Sequence, residues 1–372
     1  MRNRNRLFKW KEPFAVKETE EVFLRAVKEN CLFQYANCEE YRKVLEHFDF
    51  KPEDLKEYKD IENLPFLPTW VFKNYRLFSM PESRMLIKAT SSGTKGKFSK
   101  IGFEISGLWC GLKMVLKVGA YRKLFSIKPV HYIVLGYKPH KDNETAVTKT
   151  AYGATLFTPA LSRTFALKMN KGSYEPDLDG VIRAIQKHAL GKFPVRFMGF
   201  PSYLYFVLRK MEEENISVRL PKGSKILLGG GWKQFYTEQV EKQVLYALAE
   251  KVLGVPETEI VEFFGAVEHP ILYCDCPNHH FHVPVYSRVI IRDTETLEPV
   301  ENGRAGLVNL ITPMVAATPI LSIMTDDLGI LHEGSSCGCG IESPYLEILG
   351  RIGMKDIQTC AAGAAEYLSD TK

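Results

Sequence analysis

The stretch Thr90-Ser91-Ser92-Gly93-Thr94-Lys95-Gly96-Lys97 puts two glycines, four hydroxyl residues and two lysines side by side. Glycine lets a backbone approach a ligand closely and take positive φ at little cost. Amides of such a loop, with hydroxyls and a lysine, can surround phosphate oxygens. The spacing is not that of a Walker A loop, and an ordinary polar hairpin uses the same residue types. Two more glycine clusters follow, Gly229-Gly230-Gly231 and Gly265, each after an apolar run. Ligands collect beyond the carboxyl ends of strands in α/β sheets. The three clusters therefore predict one site fed by several strand ends.

The cysteines make a second, separable signal. Cys274-Asp275-Cys276 and Cys337-Gly338-Cys339 are paired, whereas Cys31, Cys38, Cys110 and Cys360 stand alone. Without a secretory leader, paired cysteines read as metal ligands rather than bridges. Four thiolates, with Pro277 and Gly338 shaping the turns, predict a closed tetrahedral Zn²⁺ site at Cys274, Cys276, Cys337 and Cys339. His279 or His280 could replace one cysteine, and four unliganded thiols are the plainer alternative.

These residues need positioning elements. Residues 17–47 read as helical, with Val22, Phe23, Ala26 and Val27 on one face. Strands are predicted at Met85–Thr90, His131–Gly136, Val195–Gly199, Lys225–Leu228 and Ile260–Phe264. Helices are predicted at Ile105–Leu124, Gly180–Leu190, Ser202–Asn215 and Thr237–Leu253. Helices alternating with short strands indicate an α/β layered fold. From about 283 the pattern changes to alternation, as in Val285–Arg292, which predicts a smaller, mainly β subdomain. The expected division is a helical segment over 1–80, an α/β core over 81–282, the β subdomain over 283–350 and a tail over 351–372.

Composition narrows the classes. The chain has 372 residues, 45% hydrophobic and 25% charged, as in ordinary globular proteins. A net charge of +5 spread along the sequence gives no nucleic-acid surface. The basic start MRNRNRLFKWKEPF lacks the apolar core of a signal peptide, and no window approaches the ~18 apolar residues of a membrane span. A cytoplasmic protein is expected.

Three further strings give these signals a family. Phe264-Gly265-Ala266-Val267-Glu268, Thr325-Asp326-Asp327-Leu328-Gly329 and Gly350-Arg351 follow the Thr90–Lys97 loop in the order of the adenylate-forming superfamily's motifs, which they resemble. The resemblance implies that Thr90, Ser91, Ser92, Gly93, Thr94 and Gly96 hold the phosphates of ATP, with Lys97 as a point charge. It implies that Gly229, Gly230, Gly231 and Gly265 border the nucleotide. Glu268 would bind Mg²⁺, Asp327 the ribose hydroxyls, and Arg351 the ribose or phosphate. Asp326 stands where that family usually has glycine. Lys233 is either a phosphate or carboxylate contact or a solvated lysine.

Within the superfamily the chain resembles the LuxE-type acyl-protein synthetases. The likeness runs from Tyr41-Arg42 through Leu64-Pro65-Phe66-Leu67-Pro68-Thr69-Trp70-Val71-Phe72-Lys73 and Ser92-Gly93-Thr94. It continues in Gly229-Gly230-Gly231-Trp232-Lys233, His282-Val283-Pro284, 293–299 and Thr325-Asp326-Asp327. It implies the large-domain architecture of adenylate-forming enzymes with a truncated C-terminal lid, since about twenty residues follow Gly350-Arg351. It also places Cys360 where such enzymes carry the acyl-accepting cysteine; a buried structural thiol is the alternative. The implied activity is ATP-dependent activation of a carboxylic acid, with a fatty acid expected, to an acyl-adenylate. Acyl transfer to a cysteine or to a partner, a reductase or carrier protein, would follow. A CoA ligase and a non-catalytic nucleotide-binding subunit are the alternatives. Val134, Phe197, Phe200, Tyr203 and Phe206 line an acyl pocket or belong to the core. His131 and His188 read as packing or surface residues. The zinc expectation rests on the cysteines and not on the family.

Overall fold

The computed structural model describes residues 1–90, 99–140, 155, 157–170, 172–232 and 235–351. It is a mixed α/β protein whose chain divides into two compact units. One combines Met1–Lys117 with the chain from Gly265 onward, and the other is Val118–Phe264.

The first unit starts with α1 (Arg2–Phe8), α2 (Glu20–Asn37) and α3 (Glu39–His47). The helix predicted over 17–47 is broken at Cys38, whose φ of −129° and ψ of 105° are extended. One face of α2 buries Val22, Phe23, Ala26 and Val27, then Asn30 and Gln34. Those two amides work as clamps: Asn30 Nδ2 donates to the carbonyls of Pro313 (2.9 Å) and Val315 (2.8 Å), and Gln34 Nε2 to that of Ala316 (3.1 Å). On α1 the buried Arg4 pairs with Glu104 at 2.7 Å, and Glu104 Oε2 accepts from the amides of Ala316 and Ala317.

The proline-punctuated Leu64–Thr69 run becomes β1 (Leu67–Pro68), followed by α4 (Val71–Asn74). An antiparallel hairpin, β2 (Met85–Thr90) and β3 (Lys100–Glu104), leads into α5 (Ile105–Tyr121), within which the unit boundary falls.

The second unit holds β4 (Val130–Tyr137), β5 (Ala160–Asn170), β6 (Ser173–Pro176), β7 (Val195–Gly199), β8 (Lys225–Gly229) and β9 (Ile260–Phe264). Their order is β9-β8-β7-β4-β5-β6, parallel except for the β5–β6 hairpin. Among the described residues three helices cover it: α6 (Leu178–Ala189), α7 (Pro201–Glu213) and α8 (Lys242–Leu253). Asp177 caps α6 by accepting from the amide of Gly180 at 2.9 Å, Pro201 opens α7, and Gly254 closes α8 at φ 68°. The helix predicted from Thr237 begins only at Lys242, because a 3₁₀ turn occupies Tyr236–Glu238. Alternate strand residues serve opposite faces. Ile133, Phe197, Ile226 and Ile260 join the large aliphatic cluster with Leu204, Leu208, Leu245 and Leu253, while Val130, Tyr132 and Val134 face the other way with Phe165.

Back in the first unit come β10 (Tyr273–Cys274), β11 (Phe281–His282), β12 (Arg288–Arg292), β13 (Ala305–Ile311), β14 (Ser322–His332) and β15 (Tyr345–Arg351). The antiparallel order is β11-β15-β14-β13-β12, and β1 adds in parallel to β14 with Leu67 opposite Ile323. This is the mainly β region expected after 283. Its first strand starts at Arg288 rather than Val285, since the amides of Val283 and Val285 bond to Pro344 and Pro13 outside any ladder.

Candidate functional site

Three strand ends carry the candidate residues. Thr90 closes β2; Ser91, Ser92, Gly93, Thr94, Gly96 and Lys97, like Lys233 and Cys360, lie outside the described residues. Gly229 ends β8, and Gly230 and Gly231 follow at φ 82° and 67°, conformations that favour glycine. Trp232 then turns inward, buried against Tyr205 with ring centroids 5.6 Å apart. Gly265 is needed for a different reason: a Cβ there would sit 2.8 Å from the carbonyl oxygen of Ile271.

Glu268 is 5% exposed, and its carboxylate has no hydrogen-bond partner among the described residues. A nearly buried carboxylate offers the kind of oxygen ligand a hard cation takes. Behind it, His269 is fully buried, with Nε2 3.1 Å from Ser287 Oγ, and burial pushes its pKa down to about 3.

Asp327 and Arg351 come together as facing residues of β14 and β15. Arg351 Nε donates to Asp327 Oδ1 at 2.9 Å, joining a half-exposed guanidinium to a buried carboxylate. Neighbouring Asp326 points elsewhere and accepts from Thr69 Oγ1 at 3.0 Å. The residue standing in a glycine's place is thus tied to the strand that the Leu64–Thr69 run forms.

In the parallel sheet the strand order reverses at β4, so the switch point where ligands bind lies between β4 and β7. Gly199 ends β7 at φ 136°, and a Cβ there would meet the Leu135 carbonyl oxygen at 2.3 Å. Just beyond it Phe200, Tyr203 and Phe206 form an aromatic cluster with Tyr137 and Phe235. Phe200 meets Tyr137 edge-on at 6.2 Å and Phe206 meets Phe235 at 4.9 Å. Burial raises Tyr203 to about 12, so its hydroxyl stays neutral. Val134 and Phe197 belong to the two core faces instead. Tyr137, Phe235 and Gly199 were not singled out from sequence; Gly199-Phe200-Pro201 at a strand end was the available signal.

The sulfur cluster differs from expectation in one ligand. Cys276, His282, Cys337 and Cys339 place their ligand atoms within 4.8 Å of one another, and Cys274 is not among them. Cys274 is buried in β10, whereas Cys276 lies in the following turn, which His279 closes at φ 56°. That turn returns the chain into β11 and delivers His282. Its Nδ1 is 2.7 Å from the Ser343 carbonyl, and its Nε2 lies 3.2 Å from Cys339 Sγ. Donation to a carbonyl from Nδ1 leaves Nε2 as a lone pair aimed at the thiols. Neither His279 nor His280 replaces the cysteine: His279 Nδ1 pairs with Asp275 at 2.6 Å, and His280 stacks on Tyr345 beside Cys337. The Cys276 and Cys337 sulfurs are 3.5 Å apart, near the ~3.8 Å of two thiolates on one tetrahedral zinc. Burial, then hydrogen bonds with the neighbouring thiols, pushes Cys337 up to about 12. Gly338, at φ 73°, makes the tight link between Cys337 and Cys339 possible. The Cys276-x₅-His282 spacing was the sequence signal for the fourth ligand.

The profile of the family described as acyl-protein synthetase, LuxE, matches residues 6–369. The chain belongs to that family. Among similar proteins, a long-chain-fatty-acid–luciferin-component ligase of Aliivibrio fischeri is 25% identical over 368 residues, covering 96% of this chain and 91% of that one. A phenylacetate-coenzyme A ligase of Thermus thermophilus is 24% identical, over 85% of this chain and 67% of its own. Among solved structures, 2-hydroxyisobutyryl-CoA ligase in its postadenylation state superposes with a TM-score of 0.67 at 16% identity, covering 92% of this chain and 69% of that one. The LuxE-family chain thus shares the adenylate-forming ligase fold. No described helix is long and apolar enough to cross a membrane.

Proposed function

We propose that the chain activates a long-chain carboxylic acid with ATP and hands the acyl group to a thiol. A substrate carboxylate oxygen attacks the α-phosphorus, the bond to the bridging oxygen breaks, and pyrophosphate leaves. A thiolate then attacks the acyl carbon of the mixed anhydride, and AMP leaves with the carboxylate oxygen. The family match across residues 6–369 carries this reading. The aromatic cluster at the β4–β7 switch point supports it as an apolar acyl site, and its polar atoms are few.

The described residues fit their parts. Glu268 would hold Mg²⁺, which when bound would neutralise phosphate charge. Asp327, oriented by Arg351, would accept hydrogen bonds from ribose hydroxyls. Positioning and charge neutralisation are most of what this chemistry needs. The loop at 90–97 is assigned to the phosphates and Cys360 to the acyl acceptor, with a partner reductase or carrier protein next in line. The S₃N set of Cys276, His282, Cys337 and Cys339 fits structural Zn²⁺, with every position filled by protein.

The test is pyrophosphate release and hydroxamate trapping over a panel of acids. Silence with every chain length would sink adenylation. With labelled acid, Cys360→Ala protein should still release pyrophosphate but retain no label; undiminished labelling would remove Cys360 from the path. A thioester formed only when CoA is added would transfer the acceptor role to CoA. For the metal, about one zinc per chain is expected, and less than half an equivalent would count against the site.

A further inference from the structure

One exposed face of the first unit takes no part in this chemistry. On α5, Ile105, Trp109, Leu112 and Leu116 recur at i, i+4, i+7 and i+11, which aligns them on one stripe. They are 58%, 56%, 46% and 49% exposed, whereas Cys110 and Met114, on the far side of the helix, are buried. Four large apolar side chains in line on a solvent face are not the scattered exposure that folded proteins tolerate.

Beside the stripe runs a basic helix. Arg4 donates to Ser106 Oγ at 2.6 Å, Cys110 Sγ lies 3.9 Å from Asn5 Oδ1, and Lys117 Nζ donates to the carbonyls of Phe8 (3.2 Å) and Trp10. The contacts advance together along both chains, so α1 lies parallel to α5. It rests on the flank carrying Ser106, Lys113 and Lys117, about a quarter-turn from the stripe at 3.6 residues per turn. The outer side of α1 and the turn after it form a groove lined by Arg2, Asn5, Arg6, Lys9, Trp10 and Lys11. The acids beside α1 are engaged on its inner side, Glu104 with Arg4 and Glu29 with Asn3, and Glu12 lies within interaction range of Lys117.

Charge selects the occupant. A second copy docked here about a two-fold axis would set the same arginines and lysines against each other. Leucine, isoleucine and tryptophan on one stripe with cations alongside are the composition of helices that lie in a bilayer interface. We propose that this face docks the protein on an anionic lipid bilayer, the α5 stripe entering the headgroup–acyl boundary while the α1 cations meet lipid phosphates. Long-chain acids partition into the same layer, so docking would hold the enzyme at their source. The docking itself does not depend on the adenylation reading.

The experiment is co-sedimentation of the full chain with phosphatidylglycerol-rich vesicles and with pure phosphatidylcholine vesicles. Binding should favour phosphatidylglycerol, weaken with salt, and shift tryptophan emission to the blue. Leu112→Gln/Leu116→Gln protein should bind roughly tenfold or more weakly, the scale set by losing two half-buried leucines. Arg2→Gln/Arg6→Gln/Lys9→Gln protein should lose the preference for anionic lipid at about tenfold or more. All these side chains are solvent-facing, so both variants should melt with the parent. No sedimentation with phosphatidylglycerol vesicles would overturn the proposal and leave the face to an acidic protein. Equal binding to both vesicle types, or binding unchanged in Leu112→Gln/Leu116→Gln, would overturn it as well.

Discussion

The two sheets are held together by different means. The parallel sheet of Val118–Phe264 is sealed by aliphatic side chains from both strands and helices. The antiparallel sheet of the other unit buries charged and polar groups throughout: Arg288, Arg292, Asn309, Ser287 and His269 are all nearly inaccessible. Arg288 is the extreme case. Among the described residues its guanidinium meets no carboxylate within hydrogen-bond distance; it donates to Tyr58 and to the carbonyls of Val16, Val285 and Ser287, and lies 4.0 Å above the Phe23 ring. Apolar packing tolerates exchange of like for like. A buried cation satisfied by carbonyls from distant segments does not, because each donor needs its own acceptor. The difference teaches where the molecule is adaptable and where it is specified atom by atom.

Breaking the sulfur cluster should give the largest effect. Structural zinc contributes on the order of 10 kcal/mol to folding of small zinc domains. With the cluster holding zinc as proposed, Cys337→Ser or His282→Ala should yield protein without the metal that melts many degrees lower, or is insoluble. A melting curve matching the parent would show that this sheet does not need the metal. Next comes Arg288→Ala, expected to cost about 3–5 kcal/mol in urea unfolding because it strands three carbonyls. Against it, Ile226→Val in the aliphatic cluster should cost about 1 kcal/mol. Equal costs would erase the contrast between the sheets.

Glu268→Gln separates function from stability within the polar region. Pyrophosphate release should fall by about a hundredfold or more, while the melting temperature stays near the parent's, because glutamine keeps the size and shape of the side chain. A variant that loses stability and keeps activity would reverse the assignment.

A pH slope comes last. His131 and His188 stack at 3.7 Å in the parallel-sheet unit, and burial, then the neighbouring ring, depresses His188 to about 4. Below the unfolded value of about 6.5 the unfolded chain takes up a proton that the folded one refuses. Stability should decline as pH falls from about 6.5 towards 4. His188→Gln should flatten that slope in thermal melts, and an unchanged slope would place its origin elsewhere.

Much of this was readable in the residues. Val195–Gly199, Ile260–Phe264 and Met85–Thr90 are apolar runs stopped by glycine or hydroxyl residues, and the strands keep those bounds. The resemblance of Thr325–Gly329 and Gly350-Arg351 to the adenylate-forming motifs marked Asp327 and Arg351, but their ion pair follows from the β14–β15 register, which no local pattern encodes. His282 was passed over although Cys276-x₅-His282 was there to read, because the left-handed turn at His279 is what carries it to the cysteines. α1 escaped notice because seven residues cannot show a helical period clearly, and its stability comes from Arg4 meeting Glu104. In the aliphatic sheet one-dimensional patterning was nearly sufficient; in the polar sheet the partners lie hundreds of residues apart.

That separation bears on how the chain is made. β1, at Leu67–Pro68, completes its pairing only with Ile323 and Met324, and Arg4, Asn30 and Gln34 find carbonyls between Pro313 and Ala316. Synthesis at ~5–20 residues per second means these groups leave the ribosome on the order of ten seconds or more before their partners exist. The intervening Val118–Phe264 unit carries its own core and can fold in that interval. The amino-terminal helices must meanwhile stay soluble on their own, so conditions that slow translation should trap the chain with its middle formed and its two ends unjoined.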